Sequence, residues 1–440
     1  MTSHSIDLQA FINERRLSRL QWLIIVLCFL ILAIDGFDTA AIGFIAPALT
    51  LEWGIERPAI APVLTAALVG LAFGALAAGP IADRIGRKPV LVTSVVLFGL
   101  GSLASALTND LFSLTIVRFL TGLGLGAAMP NATTLTAEYV PDQRRAFLVT
   151  LMFCGYTLGS ALGGFVAAWL IPAYGWRSVL LLGGAMPLVL ALLLALFLPE
   201  SAKFLISKGR PVARIRRILE RMRAGPNVLN ASAFTIPDSI ADRAARPVSA
   251  ILAPALLRGT LLLWTTYFFG LTIVFLLTSW MPTLLNQAGY SISRAAVVTA
   301  GFQGGGTIGA ILVGQAMDRM RPSRALAISY FLAAIFVFLI GRSAEMVTFL
   351  TVTVIGAGFF TSGAQTPLNA FAAQFYPTEL RATGVSWMLG VGRCGAILGT
   401  FIGGPLLAAG WGFPAIFGLL AVSGLIASLA IMLVGLIYSR

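Results

Sequence analysis

Four ionisable side chains stand inside long apolar runs of this 440-residue sequence: Asp35 and Asp38 in the first run, Arg118 in the fourth and Arg393 in the eleventh. A charge in such a run is costly unless it is paired or faces water, so each is a functional candidate. Asp35 and Asp38 are three residues apart and share a helix face. By helical rise, Asp38 is expected about 12 Å below one membrane surface and Arg118 about 8 Å below the same surface, a depth at which a long guanidinium could reach down to the carboxylate if their helices adjoin. This set suits proton carriage and anion capture. A proton on Asp38 or Asp35 would free Arg118 to attract an anion, so proton and anion would support each other's binding. Arg393 offers a second guanidinium for bidentate capture of a carboxylate. Its alternative is a structural role, bonded to helix carbonyls within the C-terminal half. Glu138 ends the fourth run.

Other chemistry is excluded by what the sequence lacks. The single histidine, His4, lies in a polar tail, which leaves no basis for an imidazole metal site or a Ser-His-Asp triad. Cys28, Cys154 and Cys394 all lie in apolar runs and read as small packing residues. No metal or other cofactor is expected. A net charge of +13 would suggest nucleic acid in a soluble protein. This chain, however, is 58% hydrophobic and only 11% charged, where soluble domains carry about 25% charged residues. A nucleic-acid partner is therefore not expected.

The elements that must position the four charges are membrane helices, at about 20 residues per crossing. Apolar runs between polar breaks predict twelve, over 20–46, 59–81, 89–107, 112–137, 146–168 and 177–198, then 257–281, 294–317, 324–341, 346–371, 382–406 and 412–438. The first run is too long for a signal-peptide core and contains two aspartates, so it is expected to stay in the mature protein. The fold class is an all-α membrane protein of two six-helix bundles. Its parts are a tail (1–19), an N-terminal bundle (20–198), a linker (199–256) and a C-terminal bundle (257–440).

Most of the Lys and Arg residues fall on one side: Arg15, Arg16 and Arg19, then Arg84, Arg87 and Lys88, Arg144 and Arg145, the linker, Arg319, Arg321 and Arg324, and Arg381 and Arg440. Cytoplasmic loops are enriched in these residues. Both termini and the linker are therefore expected inside a cell inner (plasma) membrane. In the linker, Arg214, Arg216, Arg217, Arg221 and Arg223 alternate with Ile215, Ile218, Leu219 and Met222 at helical spacing. A basic amphipathic helix lying on the anionic inner leaflet is expected, ended by Gly225-Pro226, with flexible connection beyond.

An internal repeat supports the division into halves. Gly79-Pro80-Ile81-Ala82-Asp83-Arg84 returns as Gly314-Gln315-Ala316-Met317-Asp318-Arg319, and Gly175-Trp176 returns as Gly410-Trp411. Two parallel six-helix repeats characterise one large class of secondary transporter. At the repeat offset the four charges have neutral counterparts near Leu271, Val274, Val354 and Thr157, an asymmetry that favours function over scaffold. Glycines four apart (Gly155, Gly159 and Gly163; Gly301, Gly305 and Gly309; Gly395, Gly399 and Gly403) allow close helix approach. They read either as static packing or as interfaces that slide.

These residues resemble the major facilitator superfamily over essentially the whole chain. Asp83, Arg84, Arg87 and Lys88, with Asp318 and Arg319 in the second copy, resemble its loops after the second and eighth helices, and the resemblance implies a gating role. Arg118 followed by Gly122, Gly124 and Gly126 resembles a fourth-helix motif of proton-coupled members. The fifth helix lacks the Gly-Pro step of drug antiporters. Asp35-Gly36-Phe37-Asp38, Tyr376 to Val385, and Gly392-Arg393-Cys394-Gly395 are similar to the aromatic acid:proton symporter family. The resemblance implies symport with protons of an aromatic carboxylate such as a hydroxybenzoate or hydroxyphenylpropanoate, by a monomer. Apolar walls and a few polar contacts for such a ring are expected from Tyr267, Phe302, Gln303, Phe360, Gln365, Asn369 and Trp387. Rival readings are a porter of the same fold for a dicarboxylate, another aliphatic acid or a sugar, and, from another class, a membrane-embedded enzyme or receptor.

Overall fold

A computed structural model of the chain describes residues 5–222, 228, 233–235, 248–377 and 380–438. His4, Arg223, Gly225-Pro226, Thr378, Glu379 and Arg440 lie outside the described residues.

Among the described residues, twelve helices are long and apolar enough to cross a membrane. In the first half they are α2 (Arg19–Trp53), α3 (Ala61–Ile85), α4 (Arg87–Ala106), α5 (Leu111–Tyr139), α6 (Asp142–Tyr174) and α7 (Arg177–Phe197). Three short helices, α1 (Leu8–Asn13), α8 (Ala202–Ser207) and α9 (Val212–Arg221), flank this half, and α10 (Val248–Ile251) precedes the second. The second half holds α11 (Pro254–Gln287), α12 (Ile292–Arg319), α13 (Pro322–Ile340), α14 (Val347–Phe375), α15 (Arg381–Ala408) and α16 (Phe413–Ile437).

Local chemistry sets these limits. Ser18 and Gln21 form a reciprocal capping box at the start of α2. Asp110 and Ser291 cap α5 and α12 through their side-chain oxygens. Gly54 ends α2 at a φ of 61°, a left-handed position that glycine occupies without strain. With 35 residues, α2 is about 52 Å long, well beyond the apolar core of a bilayer.

Each half repeats one packing scheme. In the first, α2 packs on α6, α3 on α5, and α4 on α5 and α7; in the second, α11 packs on α15, α12 on α14, and α13 on α14 and α16. All nine of the regularly spaced glycines meet a helix of their own half. A Cβ at Gly159 would stand 1.8 Å from the Ala33 carbonyl oxygen of α2, and one at Gly309 2.0 Å from that of Phe359 on α14. The sliding-interface alternative is therefore overturned: these glycines pack helices inside each body, and at Gly155, Gly159, Gly305, Gly309, Gly395 and Gly399 the nearest atom is backbone of the partner helix, where only a glycine fits.

The halves meet along three seams, α2 with α11, α3 with α15, and α6 with α12. Gly43 lies against Thr278 and Ser279, Gly164 against Ala296 and Ala300, and Gly404 against Pro58 and Ala61. These contacts all lie toward the arginine-poor side.

The linker corrects a second expectation. Ile215, Ile218 and Leu219 of α9 and Met222 just after it are buried in one apolar cluster with Leu8, Phe11 and Ile12 of α1, Phe204 and Leu205 of α8, and the ends of α2, α5 and α7. Strand β1 (Ser5–Asp7) pairs in parallel with β2 (Ala233–Thr235). The apolar stripe thus faces the protein and not a lipid leaflet, since tail and bundle end together offer it a complete apolar partner. Arg214, Arg217 and Arg221 remain on the outside. Tail and linker make a folded cap on the arginine-rich end of the first half.

Candidate functional site

The structure pairs two of the four charges. Arg118 of α5 donates from Nη1 to Oδ1 of Asp38 at 3.2 Å and from Nη2 to Oδ2 at 2.9 Å, with a longer contact of 3.5 Å to the Asp38 carbonyl. Both residues have no exposed surface. This is the bidentate geometry in which a guanidinium and a carboxylate satisfy one another.

Asp35, one turn nearer the arginine-rich side, is equally buried but incompletely satisfied. The Thr39 hydroxyl donates to its Oδ1 at 3.2 Å, and its Oδ2 has no hydrogen-bond partner. Gly36 lets α6 approach so closely that a Cβ there would stand 2.0 Å from the Tyr156 carbonyl oxygen. That approach places the Tyr156 side chain beside Asp35 and Thr39.

Arg393 of α15 faces this group from the second half. It interacts electrostatically with Asp35 and with Tyr267, and its Nη1 donates to the Leu71 carbonyl of α3 at 3.2 Å. That bond crosses between the halves, so Arg393 is not bonded only within its own half. Tyr267 stands over Gly392, where any Cβ would strike its ring. Gln365 accepts from the Tyr330 hydroxyl at 2.6 Å and donates to the Tyr267 carbonyl at 3.3 Å. Asn369, one turn further along α14, borders the Tyr267 side chain.

A polar seam closes the arginine-poor side above this centre. Thr307 donates to Thr157 at 2.8 Å, Gln303 Nε2 to Ser160 at 3.1 Å, and Ser293 to the Ala168 carbonyl at 2.8 Å. Thr157 is the repeat counterpart of Arg393. The α6–α12 and α3–α15 seams therefore carry equivalent bonds at the same depth, one between neutral hydroxyls and one from a guanidinium.

Of the expected pocket residues, Arg393, Tyr267, Gln365 and Asn369 come together, and Gln303 belongs to the seam. Three lie elsewhere. Phe302 is fully buried in the core, its carbonyl pressed by Gly358. Phe360 stacks on Phe336 of α13, with ring centres 5.5 Å apart, and lines an outer groove with Leu312, Ile328 and Phe359. Trp387 stacks on Trp264, and six residues place it about 120° around α15 from Arg393. Membership of a cavity-bordering helix did not decide which face points inward. Arg118 is enclosed by its salt bridge, with no surface open to a substrate.

Residue types alone gave little sign of Thr39, Tyr156 or the Leu71 carbonyl. The available signals were weak: Thr39 follows Asp35 by one helical turn, and Tyr156 lies between Gly155 and Gly159.

At the arginine-rich end, Arg87 pairs with Asp83 at 2.9 Å and approaches Glu138 at 3.8 Å. The backbone N–H groups of Arg87 and Lys88 donate to Glu200 at 2.9 and 3.2 Å, Tyr139 donates to the Glu200 carbonyl at 2.6 Å, and Ser201 bonds to Glu138. Arg84 is exposed. Nearby on α8, burial pushes the Lys203 ammonium below the usual lysine range, opposed by the charge of Glu138. In the second copy Asp318 and Arg319 are exposed and take part in no salt bridge among the described residues.

The model of the Major Facilitator Superfamily matches residues 28–348 and 289–439. The chain is 52% identical to the 4-hydroxybenzoate transporter PcaK of Pseudomonas aeruginosa, over 98% of this chain and 96% of the relative. It is 50% identical to the gallate transporter of Pseudomonas putida, over 97% and 94%, and 36% identical to the 3-(3-hydroxy-phenyl)propionate transporter of Escherichia coli, over 93% of each. Among solved structures, the xylose transporter XylE of Escherichia coli in a partially occluded inward open conformation superposes with a TM-score of 0.74 at 16% identity, covering 94% of this chain and 97% of that one.

Proposed function

This chain belongs to the Major Facilitator Superfamily, as a multi-pass membrane transporter rather than an enzyme, and we propose that it imports an aromatic carboxylate together with protons by alternating access. The cargo class is a hydroxybenzoate or hydroxyphenylpropanoate, in keeping with the names of its relatives. The observation that carries the coupling is the unequal satisfaction of the two helix-1 carboxylates. Asp38 has a guanidinium on both oxygens, whereas one oxygen of buried Asp35 has no donor.

Asp38 then serves to hold Arg118, and Asp35 carries the proton. While Asp35 is ionised, its field competes for Arg393. A proton on Asp35 removes that competition and leaves Arg393 to the substrate carboxylate, so proton and anion load together. Arg393 also holds the Leu71 carbonyl across a seam, and its change of partner is the step that links loading to movement of the halves. Asp83, Arg84, Arg87 and Lys88, with Asp318 and Arg319, gate the opposite end. The arginine-rich side is cytoplasmic by the positive-inside rule, with both termini inside a plasma (inner) membrane, and the monomer is the working unit.

The test is uptake into proteoliposomes under an imposed pH gradient, with a panel of labelled hydroxybenzoates, phenylpropanoates, dicarboxylates and sugars. Gradient-driven accumulation of an aromatic acid is expected. Accumulation only of a dicarboxylate or sugar would overturn the assignment of cargo, and uptake indifferent to the gradient would overturn the coupling.

A further inference from the structure

We propose that Asn369 and Tyr267 form a subsite that reads a ring hydroxyl, so that the transporter selects hydroxylated aromatic acids over the same acids without the hydroxyl. This rests on the aromatic-acid reading above and adds the group by which one such acid is told from another.

Asn369 carries an unspent acceptor. Its side-chain Oδ1 is buried and has no hydrogen-bond partner, while its amide reaches the Gln365 carbonyl at 3.5 Å and the Tyr267 side chain. Leaving a desolvated acceptor unpaired is unfavourable, and most buried polar atoms in folded proteins find a partner. A phenolic hydroxyl is a donor of the right kind, and it also accepts; the adjacent Tyr267 hydroxyl can do either.

The surroundings fix these two groups: the Tyr267 side chain sits in hydrogen-bonding contact with the side chains of Asn369 and Gln365, and the Asn369 acceptor is what they leave unused. The Tyr267 ring rests against Gly392, beside Arg393. Its backbone carbonyl is held by Gln365, which is in turn fixed by the buried Tyr330 hydroxyl. Asn369 lies six residues from the arginine-rich end of α14, and Arg393 twelve from the same end of α15. By helical rise they differ in depth by about 9 Å. A guanidinium at one level and an amide oxygen at the other, with an aromatic ring between them, match an acid whose carboxylate and hydroxyl lie at opposite ends of a ring. Asn369 is half-buried but its Oδ1 is enclosed, so a ring hydroxyl reaches that acceptor as the site opens toward the arginine-rich side.

Sites built to hydrogen-bond a substrate hydroxyl reject the analogue lacking it strongly, because the binding groups are then left unpaired. The experiment compares kcat/KM for 4-hydroxybenzoate and benzoate in proteoliposomes of the full chain, wild type against Asn369→Leu and Tyr267→Phe. Wild type is expected to favour the hydroxylated acid by at least about tenfold, and each variant to bring the ratio down by about tenfold through a higher KM for 4-hydroxybenzoate. If Asn369→Leu does not reach the membrane, Tyr267→Phe, which keeps the ring over Gly392, decides the matter. A ratio unchanged in the variants, or a wild type indifferent to the hydroxyl while still accumulating both acids, would overturn the subsite and leave the transport reading intact. Uptake of no aromatic acid at all would sink both.

Discussion

Two carboxylates one helical turn apart on α2 meet opposite fates, and the difference is one of hydrogen-bond partners. Asp38 and Arg118 neutralise each other out of contact with solvent. Removing one partner of a buried pair leaves an uncompensated charge, whereas replacing both by apolar groups of similar size is often neutral. Arg118→Leu should therefore destabilise the protein by about 3–5 kcal/mol, and the double substitution Asp38→Leu with Arg118→Met should recover most of that loss. Thermal unfolding in detergent measures both; a double variant no more stable than the single one would argue against a closed pair. Asp35 calls for a different measurement. Asp35→Asn retains the shape and the Thr39 contact but carries no proton, so gradient-driven accumulation should vanish while substrate counterflow persists. Accumulation at the wild-type level would remove Asp35 from the proton path.

At the scale of elements, the repeated helix pairs depend on backbone contact. Gly159→Val would place its first carbon against the Ala33 carbonyl of α2 and drive α6 away, with Tyr156 and Asp35 at the same junction. Loss of folded protein on size-exclusion chromatography is expected for it. Gly79→Ala, where nothing lies within 4 Å, should leave the profile as in wild type. The cap gives a second case. Ile218 is buried between the tail and the bundle end, so Ile218→Asp should lower the melting temperature by several degrees, corresponding to about 2–4 kcal/mol for a charge forced into an apolar cluster. A helix lying on lipid would show no such loss in detergent. The amphipathic character of α9 was legible in its sequence because arginines and aliphatics alternate at helical spacing. Its partner was not legible, because Leu8, Phe11 and Ile12 lie some two hundred residues away in the chain.

At the scale of the molecule, two six-helix bodies are joined at mid-depth by Thr157–Thr307 and by Arg393 on Leu71, and further toward the arginine-poor side by Ser160–Gln303 and Ser293–Ala168. Opening toward that side must break these bonds. Each net hydrogen bond contributes about 0.5–1.5 kcal/mol, so Thr157→Val together with Thr307→Val should raise the population open to that side by about two- to tenfold. In a background lacking Cys28, Cys154 and Cys394, a cysteine at position 293 should be labelled faster by an impermeant maleimide once both threonines are replaced. An unchanged labelling rate would show that the seam does not set this equilibrium.

The sequence by itself determined the twelve spans, the two halves and the scarcity of deep charges, because all of these follow from local hydropathy and from a repeat visible along the chain. It also put Arg118 near the depth of Asp38, since depth along a helix follows from counting residues, while contact between their helices was implied by the family resemblance. Only the tertiary structure decided which side chains face one another. It left Asp35 with a free oxygen, set Arg393 on the Leu71 carbonyl, brought Asn369 to Tyr267, and turned Phe360 and Trp387 away. Those outcomes depend on the rotation of each helix about its axis, which is set where backbones touch at Gly36 and Gly159 and where the Tyr267 ring seats on Gly392. Such contacts join residues far apart in the chain, and hydropathy along a single helix carries no record of them.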